Sequence, residues 1–391
     1  MREGRKTNFW SLAPAALVLF ALSPFVLAQS EESSTGGFSQ RSCSLGAGSG
    51  GLWGVHSRWR STQKEGADEQ GKHRGLSNIA FLKPRSIEER WSGKGKPQLK
   101  EMEVNGINRR YYFYKPESAI LPAPLVLAFH GGGGTAEGTD KCTGGLAKLA
   151  DEKGFIVVYP DALDKHWNDG RPDLSKTNYD DVGFISKIID ELNAQKLINS
   201  GRVYATGISN GGFFSQYLAI QLPNKIAAVA TVAASVPKSF LDLEVSPVPI
   251  MMLLGTKDTL VPWEGGKVGG KILRTGRGEV IPGRRAVEFW LTKNNNTAKP
   301  KCTELPDKDP KDNSRVSVEQ YGTAGSANEV LLYEIRGGGH TWPDGQQYLP
   351  KSIIGPVCHD FDGNAAIWNF FERHTLKDCW TNRRDVSKLR G

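Results

Sequence analysis

The amino-acid sequence predicts an α/β fold with a mostly parallel central sheet flanked by helices. Three observations carry that expectation. Short apolar runs of buried-strand type recur at 124–129, 155–159, 202–206, 226–232, 250–254 and 330–335. Segments of helical period or helical composition lie between them, and strands alternating with helices are how parallel sheets are connected. Hydrophobic residues make up 38% of the 391 residues and charged ones 24%, enough for a sizeable core and too apolar for a wholly disordered chain.

The elements come in order along the chain. Met1 to Lys6 carry Arg2, Arg5 and Lys6, and an apolar stretch from Phe9 to Leu27 closes on Val26-Leu27-Ala28. Residues 1–28 therefore read as a secretory signal peptide, with an uncleaved anchor as the rival reading. Pro14, Pro24 and the small residues at the end favour cleavage, and secretion (extracellular or periplasmic) is expected. Residues 29–98, rich in Ser, Gly, Gln, Lys and Arg, read as a disordered or low-complexity tail. The catalytic domain is expected over 99–375, with a polar basic tail at 376–391.

That domain opens with two strands around an Asn105-Gly106 hairpin turn. Strand 124–129, helix 146–153 stopped by Gly154, and strand 155–159 come next. Helix 181–193 places Ile185, Ile188, Ile189 and Leu192 on one face. Strand 202–206 precedes a helix over 210–221 that ends before Pro223. Strands at 226–232 and 250–254, a helix over 284–291, strand 330–335 and a helix over 362–374 complete the domain.

The formal charge of +8 first suggests an anionic partner, but its distribution removes nucleic acid. About +2 lies in residues 1–28 and about +5 in 29–100, which leaves about +1 for everything after residue 100. No other apolar run is long enough to span a bilayer, so no membrane partner is expected once the signal is removed. The cysteines are Cys43, Cys142, Cys302, Cys358 and Cys379, an odd number, so at least one thiol stays free or pairs with another chain. None has zinc-site spacing, and no metal or organic cofactor is expected. Asn295-Asn296-Thr297 is a glycosylation sequon.

The chemistry concentrates at strand ends. Strand 202–206 runs into Gly207-Ile208-Ser209-Asn210-Gly211-Gly212, which opens a helix. A nucleophilic Ser on such a turn needs flanking Gly, because the backbone is strained and neighbouring side chains would clash. The rival is a glycine-rich turn with a structural Ser. His130-Gly131-Gly132-Gly133-Gly134 follows an earlier strand, and its N–H groups can form half of an oxyanion hole. The phosphate-loop patterns fail there, since Thr139 occupies the Lys place. His130 itself reads as structural.

A base and an acid must come after the nucleophile. Asp258 lies just past strand 250–254, and His340 lies on the Gly337-Gly338-Gly339 loop after strand 330–335. Only His340, His359 and His374 follow Ser209, and of these His340 alone follows a strand directly. A neutral His can take the proton of Ser209, and a carboxylate can fix its tautomer. These residue types support hydrolysis of an ester through an acyl-enzyme.

Six segments now resemble a known family: His130-Gly-Gly-Gly-Gly, Trp167-Asn168-Asp169-Gly170, Asp180-Asp181-Val-Gly-Phe, Gly207-Ile-Ser-Asn-Gly-Gly, Gly255-Thr-Lys-Asp258-Thr-Leu-Val-Pro262 and Gly337-Gly-Gly-His340-Thr-Trp-Pro. The chain is similar over about 100–375 to the secreted esterases of the polyhydroxybutyrate depolymerase and feruloyl esterase group. The resemblance implies an α/β-hydrolase fold, with Ser209 as nucleophile, Asp258 as acid and His340 as base. It implies backbone oxyanion donors at Gly132, Gly133 and Asn210. It also implies cleft-lining roles for Trp167 and Trp342, for which core packing is the rival. Family members often carry a second cysteine where this chain has Gly325-Ser326, which leaves the partner of Cys302 open.

Polyester depolymerases of the group usually append a polymer-binding domain, for which no room is expected after residue 375. A small-molecule or polymer-linked ester is therefore expected: a feruloyl or acetyl ester of plant polysaccharide, or a short hydroxyalkanoate ester. An extracellular polyhydroxybutyrate depolymerase is the alternative. A non-catalytic secreted binding protein and a serine peptidase are the readings of another class. The intact Ser209, Asp258 and His340 set weighs against the first, and the lack of a propeller-like N-terminal domain against the second.

Overall fold

The computed structural model describes residues 91–172, 179–270 and 277–376. The chain divides into two units, Met1–Ser77 and Asn78–Gly391, and every described residue belongs to the second. The signal expected over 1–28, most of the tail expected over 29–98, the residues after 376, Cys43 and Cys379 lie outside the described residues.

A ten-stranded sheet organises the molecule. Its first strands, β1 (Gln98–Val104) and β2 (Ile107–Tyr114), form the expected antiparallel hairpin, with Asn105 and Gly106 both at positive φ. Next come β3 (Ala123–Phe129), α1 (Ala136–Cys142), α2 (Leu146–Lys153), β4 (Ile156–Pro160), α3 (Asp181–Ala194), β5 (Ile198–Ile208) and α4 (Asn210–Gln221). The chain continues through β6 (Ala228–Val232), β7 (Ile250–Gly255), the short pair β8 (Gly266–Lys267) and β9 (Glu279–Val280), and α5 (Gly283–Lys293). It closes with β10 (Lys301–Glu304), β11 (Arg315–Tyr321), β12 (Val330–Arg336), α6 (Lys351–Ile354) and α7 (Gly363–Phe371).

The strand order is β1-β2-β4-β3-β5-β6-β7-β12-β11-β10. From β4 through β12 every pairing is parallel, and the outer pairings at both edges are antiparallel. The central strands are the runs the sequence predicts, and they are apolar throughout because helices cover both faces. Alternation within β3 shows it: Leu125, Leu127 and Phe129 join one core, Val126 and Ala128 the other. Ile185, Ile188, Ile189 and Leu192 of α3, with Phe214 and Leu218 of α4 and Trp290 of α5, pack on the first face. Leu146, Ala147 and Ala150 of α2, with Ile367, Trp368 and Phe371 of α7, pack on the second.

Several elements go beyond the expectation, among them α1, β8, β9 and α6. The antiparallel extension β10–β11 is absent from the sequence reading, because β10 is exposed along its whole length and β11 is mostly half-buried, which leaves no apolar run to detect. Trp91, which composition assigns to the tail, packs its ring 5.1 Å from those of Tyr112 and Tyr159. Ser92 extends that attachment, its N–H donating to Asp140 at 2.7 Å.

Candidate active site

The parallel strands all end at one edge of the sheet, where ligand sites form in open α/β folds. Ser209 stands between β5 and α4 with φ 56° and ψ −121°, a strained conformation costing on the order of 1–3 kcal/mol. The local sequence makes this turn possible. A Cβ on Gly211 would lie 2.4 Å from the Phe129 carbonyl oxygen, and one on Gly207 would lie 2.6 Å from the Gly211 carbonyl carbon. Only hydrogen fits at either place, so the G-x-S-x-G spacing results from close contact between β3, β5 and α4.

Asp258 and His340 come from the ends of two neighbouring strands, β7 and β12. Lys257 N–H donates to the Gly338 carbonyl at 2.9 Å, and Gly337 N–H to Thr256 Oγ1 at 2.9 Å, tying the end of β7 to the end of β12. Asp258 accepts from the N–H groups of Leu260 and Val261, both at 2.8 Å, through Oδ1. Its Oδ2 lies 2.7 Å from His340 Nδ1, and both side chains are about 2% exposed. With both oxygens engaged, the carboxylate has a fixed orientation and holds the ring through Nδ1.

A cavity of about 470 Å³ is lined by Gly131 to Gly134, Ser209, Asn210 and His340, and also by Tyr348, Leu349 and Ile353. Ser209, His340 and two candidate oxyanion donors, Gly132 and Asn210, thus share one space. Asn210 is the first residue of α4, so its N–H has no acceptor within the helix. Among the described residues no backbone carbonyl takes the Gly132 N–H. Gly133 corrects the expectation: its N–H donates to the Lys165 carbonyl at 2.8 Å and is not available to an oxyanion. Its positive φ of 80° shapes the turn instead.

The two tryptophans are also placed differently from the cleft roles the resemblance implies. Trp167 is fully buried, stacked on Phe214 with 4.8 Å between centroids, and its Nε1–H donates to the His130 carbonyl at 3.1 Å. Trp342 is 1% exposed and donates to Asn364 Oδ1 at 3.0 Å. Neither lines the cavity, because each ring completes the core behind a loop that carries site residues. His130 is structural as expected. Its Nε2 accepts from Ala162 N–H at 3.1 Å, its Nδ1 lies 2.8 Å from the Gly131 carbonyl, and burial lowers its pKa so that it stays neutral.

Several residues around the site escape sequence reasoning. Asp169 Oδ2 accepts from Asn210 Nδ2 at 2.6 Å and from Arg171 Nη2 at 2.6 Å, while Asn210 Oδ1 accepts from Trp167 N–H at 2.8 Å. Asp181 takes the Asn168 N–H at 2.7 Å and pairs with buried Arg109 at 2.6 Å; burial still raises its pKa against that opposing charge. The Trp167-Asn-Asp-Gly and Asp180-Asp181 segments thus brace the start of α4. Arg171 and Arg277 line the cavity, and His166 lies beside Arg277. The resemblance points at the segment holding Asp169, but no spacing marks Arg171, Arg277 or His166.

Residues 124–251 match the family described as alpha/beta hydrolase fold. The chain has that fold. It is 28% identical over 293 residues to "Putative esterase NocK" of Nocardia uniformis subsp. tsuyamanensis, covering 71% of this chain and 83% of that one. It is 31% identical over 235 residues to feruloyl esterase B of Piromyces equi (57% of this chain, 40% of that one). Against poly(3-hydroxyalkanoate) depolymerase C of Paucimonas lemoignei it is 28% identical over 141 residues (35% and 34%). The chain spans less than half the length of the last two. These relatives bear out the resemblance to the feruloyl esterase and polyhydroxybutyrate depolymerase group, and the protein is an ester hydrolase.

The cysteines are free thiols where described. Cys302 is exposed on β10, while burial pushes Cys142 up to about 12 and Cys358 up to about 11, keeping both protonated. The loop at Gly325-Ser326 is held without a disulfide: Gly325 N–H donates to Glu329 Oε2 at 2.9 Å, and Glu329 Oε1 pairs with Arg373 at 2.6 Å. Asn295 of the sequon is exposed just past α5. Among the described residues no group of His, Cys, Asp or Glu is arranged to hold a metal ion, and no helix is long and apolar enough to cross a membrane.

Proposed function

We propose that the protein is a secreted serine esterase that works through an acyl-enzyme on Ser209. The observation carrying this reading is Ser209 on its strained turn, sharing one cavity with His340, which is held in place by Asp258. His340 Nε2 takes the Ser209 proton as Oγ attacks the ester carbonyl. The N–H groups of Gly132 and Asn210 receive the negative charge that develops on the carbonyl oxygen. His340 returns the proton to the leaving alcohol, then draws one from a water that attacks the acyl-enzyme. His340 then gives that proton to Ser209 Oγ as the acid is released, which restores both residues. Asp258 holds the Nδ1–H tautomer throughout and steadies the ring while it is charged.

The substrates proposed are feruloyl or acetyl esters of plant polysaccharide, or short hydroxyalkanoate esters, in line with the names of the relatives. Secretion rests on the basic start and apolar stretch within residues 1–28. The test is a matched comparison of methyl ferulate, acetylated xylan and 3-hydroxybutyrate oligomers, with a stopped-flow burst recorded on p-nitrophenyl butyrate. A burst equal to the enzyme concentration supports an acyl-enzyme whenever deacylation is slower than acylation. Failure to turn over any of these esters would sink the proposal.

A further inference from the structure

The cavity beside Ser209 carries an arrangement the mechanism does not use. The side chain of Arg277 lines it, and its Nη1 lies 3.0 Å from where a Cβ on Gly132 would stand. That places a guanidinium against the turn that supplies an oxyanion donor. Arg277 is held from two sides. Its carbonyl accepts from Arg171 Nη1 at 2.5 Å, and Arg171 is itself buried and paired with Asp169. Its Nη1 donates to Nε2 of His166, whose Nδ1 lies 3.1 Å from the Asp164 carbonyl. Burial lowers the pKa of His166, and the charges of Arg277 and Arg171 push the same way, so the ring stays neutral and acts as an acceptor.

No carboxylate among the described residues answers this cation. Among the described residues no acidic side chain pairs with Arg277, and the cavity lining holds two arginines and no Asp or Glu. Arg171 is satisfied by Asp169, whereas Arg277 keeps donors that His166 does not occupy. A half-buried guanidinium without a counter-ion carries a desolvation cost that an anionic ligand would offset. Its planar fork matches a carboxylate.

We infer that Arg277 is a specificity-determining residue that binds a carboxylate carried by the substrate close to the scissile ester, with His166 as its positioning residue. This rests on the serine-esterase reading and narrows it. The class recognised is an ester bearing a free carboxylate, whether the acid end of a short hydroxyacid oligomer or the carboxylate of a uronic acid. Methyl ferulate and acetylated neutral xylan lack that group.

Two matched pairs test this: the 3-hydroxybutyrate dimer against its terminal amide, and O-acetylated galacturonate against the galacturonamide. The ratio of kcat/KM for acid over amide is read in the wild type, Arg277→Gln and Arg277→Lys. A charge-assisted hydrogen bond predicts a wild-type ratio of about ten- to hundredfold in at least one pair. That ratio should fall towards one in Arg277→Gln and partly survive in Arg277→Lys, and the pair that shows it identifies the carboxylate source. If the variants fail to fold, the wild type still decides, because added salt should raise KM for the acid and not for the amide. Ser209-dependent turnover with no acid preference, or a preference that persists in Arg277→Gln, overturns the inference and leaves the esterase reading standing. Absence of Ser209-dependent turnover of any ester would instead remove the esterase reading.

Discussion

At the scale of single residues, the site depends on groups with one remaining degree of freedom. Asp258 spends Oδ1 on two backbone N–H groups, which leaves Oδ2 for His340. Asp258→Asn keeps the shape but presents an amide to Nδ1, favouring the wrong tautomer. We expect kcat on p-nitrophenyl butyrate to fall about 10³–10⁴-fold with little change in the melting temperature. The placing of Ser209, Asp258 and His340 at strand ends was legible in the sequence because each follows a recognisable strand. Gly133 was not, since the competition of Lys165 for its N–H involves residues 32 positions apart. Arg277 was invisible for the same reason: its meaning comes from Gly132, His166 and Arg171, all distant in sequence.

At the scale of elements, the turn that carries Ser209 is set by how closely β3, β5 and α4 approach. Gly211→Ala would force a methyl group into the Phe129 and His130 carbonyls, with no flexible side chain to yield. Loss of activity with a lower melting temperature is the expected outcome, and wild-type kinetics in that variant would contradict the packing argument. Trp167 makes a second element-scale prediction. Its ring joins Phe129 of β3 to Phe214 of α4 with no solvent exposure, so Trp167→Ala should destabilise by about 3–5 kcal/mol in denaturant unfolding. A cleft-lining Trp would instead raise KM with little effect on stability. The central strands were legible because both of their faces are apolar, while β10 and β11 were hidden by exposure.

At the scale of the whole molecule, the described residues form a domain whose antiparallel margin is tied to its last helix. Glu329 precedes β12, its side chain is fully buried, and it pairs with Arg373 just after α7. Burial favours its neutral form, but hydrogen bonds from His374, Arg373 and Gly325 outweigh this and hold its pKa below the usual carboxylate range. A carboxyl depressed in the folded state contributes stability above its unfolded pKa of about 4.3, and loses it as pH falls towards the folded value. Glu329→Gln should therefore lower the melting temperature at pH 7, with the difference from wild type shrinking below about pH 4. A difference that does not change with pH would contradict the ion-pair account. Charge distribution belongs to this scale too. The excess lies mainly in residues 1–100, and residues 101–391 are close to neutral.

The most direct measurement is hydrolysis of p-nitrophenyl butyrate by wild type and Ser209→Ala, with circular dichroism recorded on both. Ser209 as nucleophile predicts turnover by the wild type and a loss of at least about 10³-fold in the variant, with superimposable spectra. Activity surviving in a folded Ser209→Ala protein would contradict it.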